Sequence, residues 1–205
     1  MDQVTSITVF VVAFALCLPL LTRLMKPYPR LLRVAKYIIF GVYVAANLYE
    51  TILFRTPNDA IPVKWKLLWS YRASLSFETL YGEGWRVLIQ SLLNGTGVTL
   101  RVTNLKLLEE ILLNILLYIP LGYLLPFLWP RLAAKRGAGS GITGWRVVLI
   151  GFTASLLTEL TQLTFRIGWF ELDDIMNNTL GCMLGFVLYR YVVNRAQRKG
   201  GEGAS

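Results

Sequence analysis

Five apolar runs, each close to the length that crosses a bilayer as a helix, dominate this chain of 205 residues. They cover about residues 7–25, 34–54, 107–128, 146–164 and 175–193. A helix needs roughly 20 such residues to cross about 30 Å of hydrocarbon. The composition agrees, because 55% of the residues are hydrophobic and the mean hydropathy is +0.51. We therefore predict an all-α integral membrane protein with about five transmembrane helices.

The apolar run near the N-terminus does not resemble a cleaved secretory signal. Asp2 is the one charged residue before it, whereas a secretory signal begins with a basic region and ends at small residues. We therefore expect residues 1–30 to contain a retained transmembrane helix. Residues 34–193 are expected to form a membrane domain of four helices with a long loop at 55–106, and residues 194–205 a disordered cytoplasmic tail.

Basic residues lie in alternate connections between the apolar runs, and this placement predicts the orientation of the chain. Short loops rich in Lys and Arg stay in the cytoplasm. The N-terminus is then expected outside the plasma membrane and the C-terminus inside. Topology and attraction to anionic lipid account for the net charge of +9 without nucleic acid as a partner. The basic residues concerned are Arg23, Lys26, Arg30, Arg33, Lys36, Arg131, Lys135, Arg136, Arg146, Arg190, Arg195, Arg198 and Lys199.

The absence of histidine excludes several classes of enzyme. Because the chain has no His, it cannot form a His-based zinc site or a Ser-His-Asp triad. The two cysteines, Cys17 and Cys182, fall inside predicted spans, where cysteine usually behaves as a small apolar side chain. They therefore say nothing about the redox compartment.

The loop at 55–106 mixes aromatic, basic and aliphatic residues. This mixture is typical of a segment that lies in the headgroup layer of a membrane. We predict a long extracytoplasmic amphipathic loop, with Trp65, Trp69 and Trp85 as its anchors at the interface. A small soluble cap packed on the helices is an equally good interpretation of the same residues.

Acidic, amide and arginine side chains interrupt four of the apolar runs, and the predicted topology places these clusters near the outer face. A charge at the centre of a membrane helix costs roughly 2.5–3.5 kcal/mol, so such residues usually serve a site. Residues three, four and seven apart share a helix face, which aligns Glu159 with Gln162 and Arg166 provided that the helix reaches Arg166. The alternative is that these groups form interhelical bonds that only fix packing. The predicted outward-open cavity contains Arg55, Arg72, Glu110, Asn114, Glu159, Gln162, Arg166, Asp173, Asp174 and Asn178.

Several of these segments resemble the VanZ-like family of membrane proteins, which is named for an accessory factor in teicoplanin resistance. The matching pieces are LFRTP from Leu53, NILLYIPLGYLLP from Asn114, and E-x2-Q-x3-R followed by ELDDIMNNTLGCMLG from Glu159. Glu171 stands where Asp is commoner in the family. The resemblance implies a bacterial plasma-membrane protein linked to tolerance of lipid-seeking glycopeptides, without a defined biochemical activity.

The leading hypothesis is a protein whose outer cavity binds an anionic membrane lipid, a lipid-linked cell-wall precursor or a lipophilic glycopeptide. Arg55, Arg72 and Arg166 would contact phosphate, because guanidinium offers a planar fork of donors. Glu159, Asp173 and Asp174 would orient the arginines or hold a divalent cation, although no cofactor is required. One alternative is an intramembrane enzyme in which Asp173 and Asp174 bind Mg2+ and act on a lipid phosphate or pyrophosphate. A small transporter or flippase is another, and the oligomeric state stays open.

Overall fold

The computed structural model describes residues 27–53, 55, 57, 63–79, 82–132 and 144–202, with the backbone alone at 78, 79, 85 and 194–202. The predicted first helix, residues 7–25, lies outside these residues. In chain order the elements are α1 Pro29–Leu48, a π-helical segment Tyr49–Leu53, β1 Val63–Lys64, α2 Trp69–Ser74, β2 Leu75–Thr79, β3 Gly82–Glu83, α3 Trp85–Asn94, β4 Val98–Val102, α4 Leu105–Leu128, a 3-10 turn Pro130–Leu132, α5 Trp145–Phe165, β5 Phe170–Glu171 and α6 Leu172–Glu202.

Within the described residues, three helical segments are long and apolar enough to cross a membrane: Pro29–Leu53, Leu105–Leu128 and Trp145–Phe165. The prediction of a helical membrane protein is therefore supported, whereas the number of five transmembrane helices is not confirmed. Helix α6 covers the predicted fifth segment, 175–193, but it is not one of the three. Its first turns carry two carboxylates and two amides, which lower its hydropathy.

Helices α4 and α6 form the most extensive helix pair among the described residues, and α5 also packs against α6. Glycine permits the close approach, because a Cβ added at Gly181 would overlap the Ile115 carbonyl oxygen. A Cβ at Gly122 would meet the Cys182 carbonyl oxygen in the same way. The core next to this contact contains Tyr43, Leu117, Tyr118, Leu121, Tyr123, Leu124, Leu125, Val147, Cys182 and Phe186.

The long loop folds into a small unit of two helices and a sheet. Strand β2 pairs antiparallel with both β3 and β4, with Phe77 opposite Leu100. A second, parallel pair joins β1 to β5, with Val63 opposite Phe170. Helix α3 points apolar side chains outward, and Leu93 is 82% exposed. The loop thus has more regular structure than its composition predicted, because its strands find partners that are far apart in sequence.

Helix α6 continues to Glu202, whereas the sequence predicted a disordered tail at 194–205. Arg, Ala, Gln and Lys are good helix formers, and they occupy residues 195–199. The basic residues of the tail therefore extend the helix.

Candidate functional site

Four long elements meet at one end of the bundle, which we call the polar end. It consists of the C-terminal ends of α1 and α5 and the N-terminal halves of α4 and α6. The Gln162 side-chain amide donates to the Thr51 carbonyl oxygen at 2.9 Å and joins α5 to the end of α1. The Asn178 amide donates to the Ser155 hydroxyl at 2.9 Å and joins α6 to α5. All four side chains are buried, so these bonds are made away from solvent.

Asp173 is the centre of a structural clamp, which we define as Leu68, Ser70, Tyr71, Asp173 and Asn177. Its carboxylate accepts from the Leu68 backbone N–H at 2.5 Å, the Ser70 backbone N–H at 2.9 Å and the Ser70 hydroxyl at 2.5 Å. The Tyr71 hydroxyl donates to the side-chain oxygen Oδ1 of Asn177 at 2.5 Å. Leu68 has a positive φ of 61°, a conformation that costs a non-glycine residue energy. The clamp thus fixes α2 to the start of α6.

Asp174 faces a different set of groups, which we call the carboxylate cluster: Glu110, Glu159, Glu171 and Asp174. Asp174 interacts electrostatically with the other three members. It accepts a hydrogen bond from the Asn114 amide at 2.7 Å. The Glu159 carboxylate accepts from the Glu171 backbone N–H at 3.0 Å. Four carboxylates from α4, α5, β5 and α6 therefore share one region.

Two cations interact with this cluster. Arg55 interacts with both Glu159 and Asp174, and Lys64 interacts with Glu171. A Cβ added at Gly168 would lie 2.7 Å from Arg55 Nη1 and 3.0 Å from Gln162 Oε1. The Arg55 guanidinium and the Gln162 side-chain oxygen therefore both lie close to Gly168, in the turn between α5 and β5. Glycine at 168 makes room for both.

The carboxyl group of Glu171 shows the effect of this crowding. Burial, reinforced by the neighbouring Asp174 carboxylate, raises its pKa from 4.5 to about 7. Trp69 and Lys64 act in the opposite direction and offset part of this rise. The negative charge of the cluster is therefore only partly neutralised by the groups around Glu171.

A groove of about 270 Å³ adjoins the polar end. It opens between α1, α4 and α5, and apolar surface dominates its walls. Thr158 and Thr161 line it and are the direct neighbours of Glu159 and Gln162 in the chain. The whole lining is Tyr43, Val44, Asn47, Leu48, Ile52, Tyr118, Leu121, Ala154, Leu157, Thr158 and Thr161. A polar region and an apolar groove thus lie side by side.

The structure brings most of the predicted cavity residues to the polar end. Four of them are exposed, namely Arg55, Arg72, Glu110 and Arg166. Of these four, Arg55 and Glu110 interact with the carboxylate cluster. Helix α5 ends at Phe165. The predicted alignment with Glu159 and Gln162 required the helix to reach the next residue, Arg166. Arg166 then adopts a positive φ of 55° as the cap of the helix. Glu159 and Gln162 are buried, so the expected alignment holds for these two alone.

The three predicted anchor tryptophans have different surroundings. Trp65 is 68% exposed, as an interfacial anchor would be. Trp69 is half-buried, with Lys64 Nζ 4.7 Å from its ring centroid. It therefore belongs to the surroundings of the site. The side chain of Trp85 lies outside the described part of the chain.

Sequence reasoning missed two charged members of the site, Glu171 and Lys64. They come together because β1 pairs with β5 and places Lys64 opposite Glu171. A two-residue strand gives no periodic signal. The one available sign was the position of Glu171 two residues before the Asp173–Asp174 pair.

The Asp173–Asp174 pair was predicted as an optional metal site. Both residues lie in the first turn of α6, and their carboxylates have separate partners, the loop before α2 and Asn114. This divergence is what helical geometry gives for adjacent residues, which point about 100° apart. The pair as it stands therefore does not present two carboxylates to one ion.

The VanZ/LLP1 family model matches residues 40–194 of the chain. This range contains every residue of the polar end. A comparison with curated proteins gave no match, and a comparison with solved structures gave none either.

Proposed function

Since this chain belongs to the VanZ/LLP1 family, we propose that it binds the headgroup of a membrane amphiphile at the polar end and supports tolerance of teicoplanin-type glycopeptides in this way. The ligand is an anionic lipid, a lipid-linked cell-wall precursor or the lipophilic antibiotic itself. The observation that carries the proposal is the position of Arg55 beside Gln162 and Gly168, within a region that adjoins an apolar groove. An amphiphile needs a polar surface for its headgroup and an apolar surface for its hydrocarbon.

Arg55 is the residue that contacts the phosphate of the headgroup. Its guanidinium offers several donors in a planar fork, which suits phosphate oxygens. All three arginines are exposed. Of the three, Arg55 is the one that approaches the buried Gln162 at Gly168 and interacts with the buried Glu159. The phosphate would therefore lie beside Arg55, next to the carboxylate cluster. The groove then receives part of the hydrocarbon.

The orientation proposed for this site is the outer leaflet of a bacterial plasma membrane. The opposite end of the bundle carries Lys36, whose Nζ lies 3.6 Å from the Phe127 ring centroid, and Arg131, whose carbonyl accepts from Arg146 at 3.4 Å. Basic residues favour the cytoplasmic side. The polar end would then face outward, where glycopeptides and cell-wall precursors are found. The exposed apolar residues of α3 suit contact with the same leaflet.

The test compares Arg55→Gln with Arg166→Gln. Both variants remove one guanidinium, and Arg166 is the matched control because it is an exposed helix cap. The purified proteins are incubated with phosphatidylglycerol, and bound lipid is counted by native mass spectrometry. We expect Arg55→Gln to lower lipid retention on the order of tenfold, about 1.4 kcal/mol, while Arg166→Gln stays near wild type.

Cells provide the second measurement. A susceptible bacterium that produces the wild-type chain should tolerate more teicoplanin than one that produces Arg55→Gln at equal membrane levels. Equal lipid retention and equal tolerance in both strains would contradict the proposal.

A further inference from the structure

The carboxylate cluster exceeds the positive charge that the described residues bring to it. Asp174 interacts with Glu110, Glu159 and Glu171, and the cations among the described partners of these groups are Arg55 and Lys64. Like charges that share a partly buried region repel each other and raise one another's pKa, as Glu171 shows, and a cation beside them relieves this repulsion. A ligand that brought a positive charge would lessen this imbalance.

A second observation points to a donor that is missing from this region. The Gln162 side chain is 2% exposed, and its Oε1 atom accepts no hydrogen bond from any described group. This oxygen and Arg55 Nη1 approach the same point at Gly168. A buried amide oxygen without a donor costs about 1–3 kcal/mol, so it calls for a group that carries N–H or O–H. Arg55, which shares this point with it, interacts with Glu159 and Asp174 of the cluster.

Resting on the function proposed above, we infer that the carboxylate cluster binds the ammonium group of an aminophospholipid whose phosphate contacts Arg55. An ammonium group carries positive charge and three donors. It matches carboxylate oxygens and the free Gln162 oxygen at once. In an ethanolamine headgroup the ammonium is joined to the phosphate by a short ethylene link, so both charges reach neighbouring parts of the polar end. Of the phospholipids that the polar end can bind through their phosphate, those with a free amine are therefore preferred.

The experiment uses two lipids that differ only at the amine. Phosphatidylethanolamine and N-acetyl-phosphatidylethanolamine with the same acyl chains are mixed in equal amounts with the purified full chain, and bound lipid is counted by native mass spectrometry. We expect the free amine to be retained about tenfold more than the acetylated one. Equal retention of the two lipids would overturn the inference.

The variants Glu110→Gln and Glu109→Gln together test whether the preference for the free amine depends on the carboxylate cluster. Each removes one carboxylate from neighbouring positions of α4, but only Glu110 interacts with Asp174 and Glu171 in the described cluster. Glu110 is exposed, so its substitution should not unfold the protein. We expect Glu110→Gln to reduce the preference for the free amine severalfold and Glu109→Gln to keep it. A preference that survives Glu110→Gln, or one that a chelator abolishes because a divalent cation links lipid and carboxylates, would contradict an ammonium site.

Failure of this inference is distinguishable from failure of the proposed function. Arg55→Gln should lower the retention of both lipids equally and leave their ratio unchanged, because both keep the phosphate. Binding that depends on Arg55 but ignores the amine would overturn the inference alone. Binding that ignores Arg55 would overturn the proposed function.

Discussion

Asp173 and Asp174 are adjacent in sequence, yet they belong to two regions of the polar end that are built in opposite ways. The clamp around Asp173 supplies three donors to one fully buried carboxylate. The carboxylate cluster around Asp174 collects four carboxylates with fewer cations. A region whose charges are satisfied within the chain serves the fold, whereas a region with excess charge is suited to receive a ligand. Two adjacent residues thus have different roles: Asp173 stabilises the fold, and Asp174 belongs to the region suited to binding a ligand.

The largest expected effect lies in the clamp. Asp173→Ala should lower the free energy of unfolding on the order of 3 kcal/mol, because it leaves buried donors of Leu68 and Ser70 without an acceptor. Thermal unfolding of the purified variants in detergent measures this loss. Asp173→Asn keeps one acceptor oxygen and should lose less. Equal stability of Asp173→Ala and wild type would remove the distinction between the two regions.

Asp174, the next residue, should respond in the opposite way: its substitution should preserve stability and weaken lipid binding. Asp174→Asn keeps an oxygen that can accept from Asn114, and it removes one of four crowded negative charges. We expect wild-type or higher thermal stability together with a severalfold loss of aminophospholipid retention. Stability and retention are measured on one preparation. A variant that unfolds at lower temperature but binds lipid normally would show that Asp174 is a structural residue.

A smaller effect is expected from Tyr71→Phe, which removes one hydrogen bond of the clamp. Its hydroxyl donates to Asn177, and the loss of such a bond costs about 1 kcal/mol. The melting temperature should fall slightly while lipid selectivity stays the same. Tyr28→Phe serves as the control, because Tyr28 is 63% exposed at the start of α1. A change in lipid selectivity with Tyr71→Phe would couple the two regions.

Helical spacing allowed part of the site to be predicted from the sequence. It placed Glu159 with Gln162 on one face of α5, and both are buried at the polar end. It could not show that α5 ends at Phe165, so it placed Arg166 on the same face. The end of a helix depends on a few capping bonds, and here the Ile167 N–H donates to the Gln162 carbonyl at 3.0 Å. Amino-acid composition and helical periodicity give little indication of such local bonds.

Contacts between distant segments account for what the sequence did not reveal. Glu171 enters the cluster through the pairing of β5 with β1, and Asp173 enters the clamp through bonds to the loop before α2. Apolar periodicity within one helix carries no information about either contact. The family resemblance drew attention to the Asp173–Asp174 pair, and the family match over residues 40–194 includes both residues. It did not distinguish the roles of the two carboxylates.

The most direct test of the central claim is to locate the headgroup of a bound lipid. A phospholipid with a photoreactive group on its headgroup is bound to the wild-type chain, illuminated, and the labelled peptides are identified by mass spectrometry. We predict labels on the peptides that contain Glu110 and residues 166–174, which form the polar end. Labels confined to the basic end around Lys36, Arg131 and Arg146 would contradict the account.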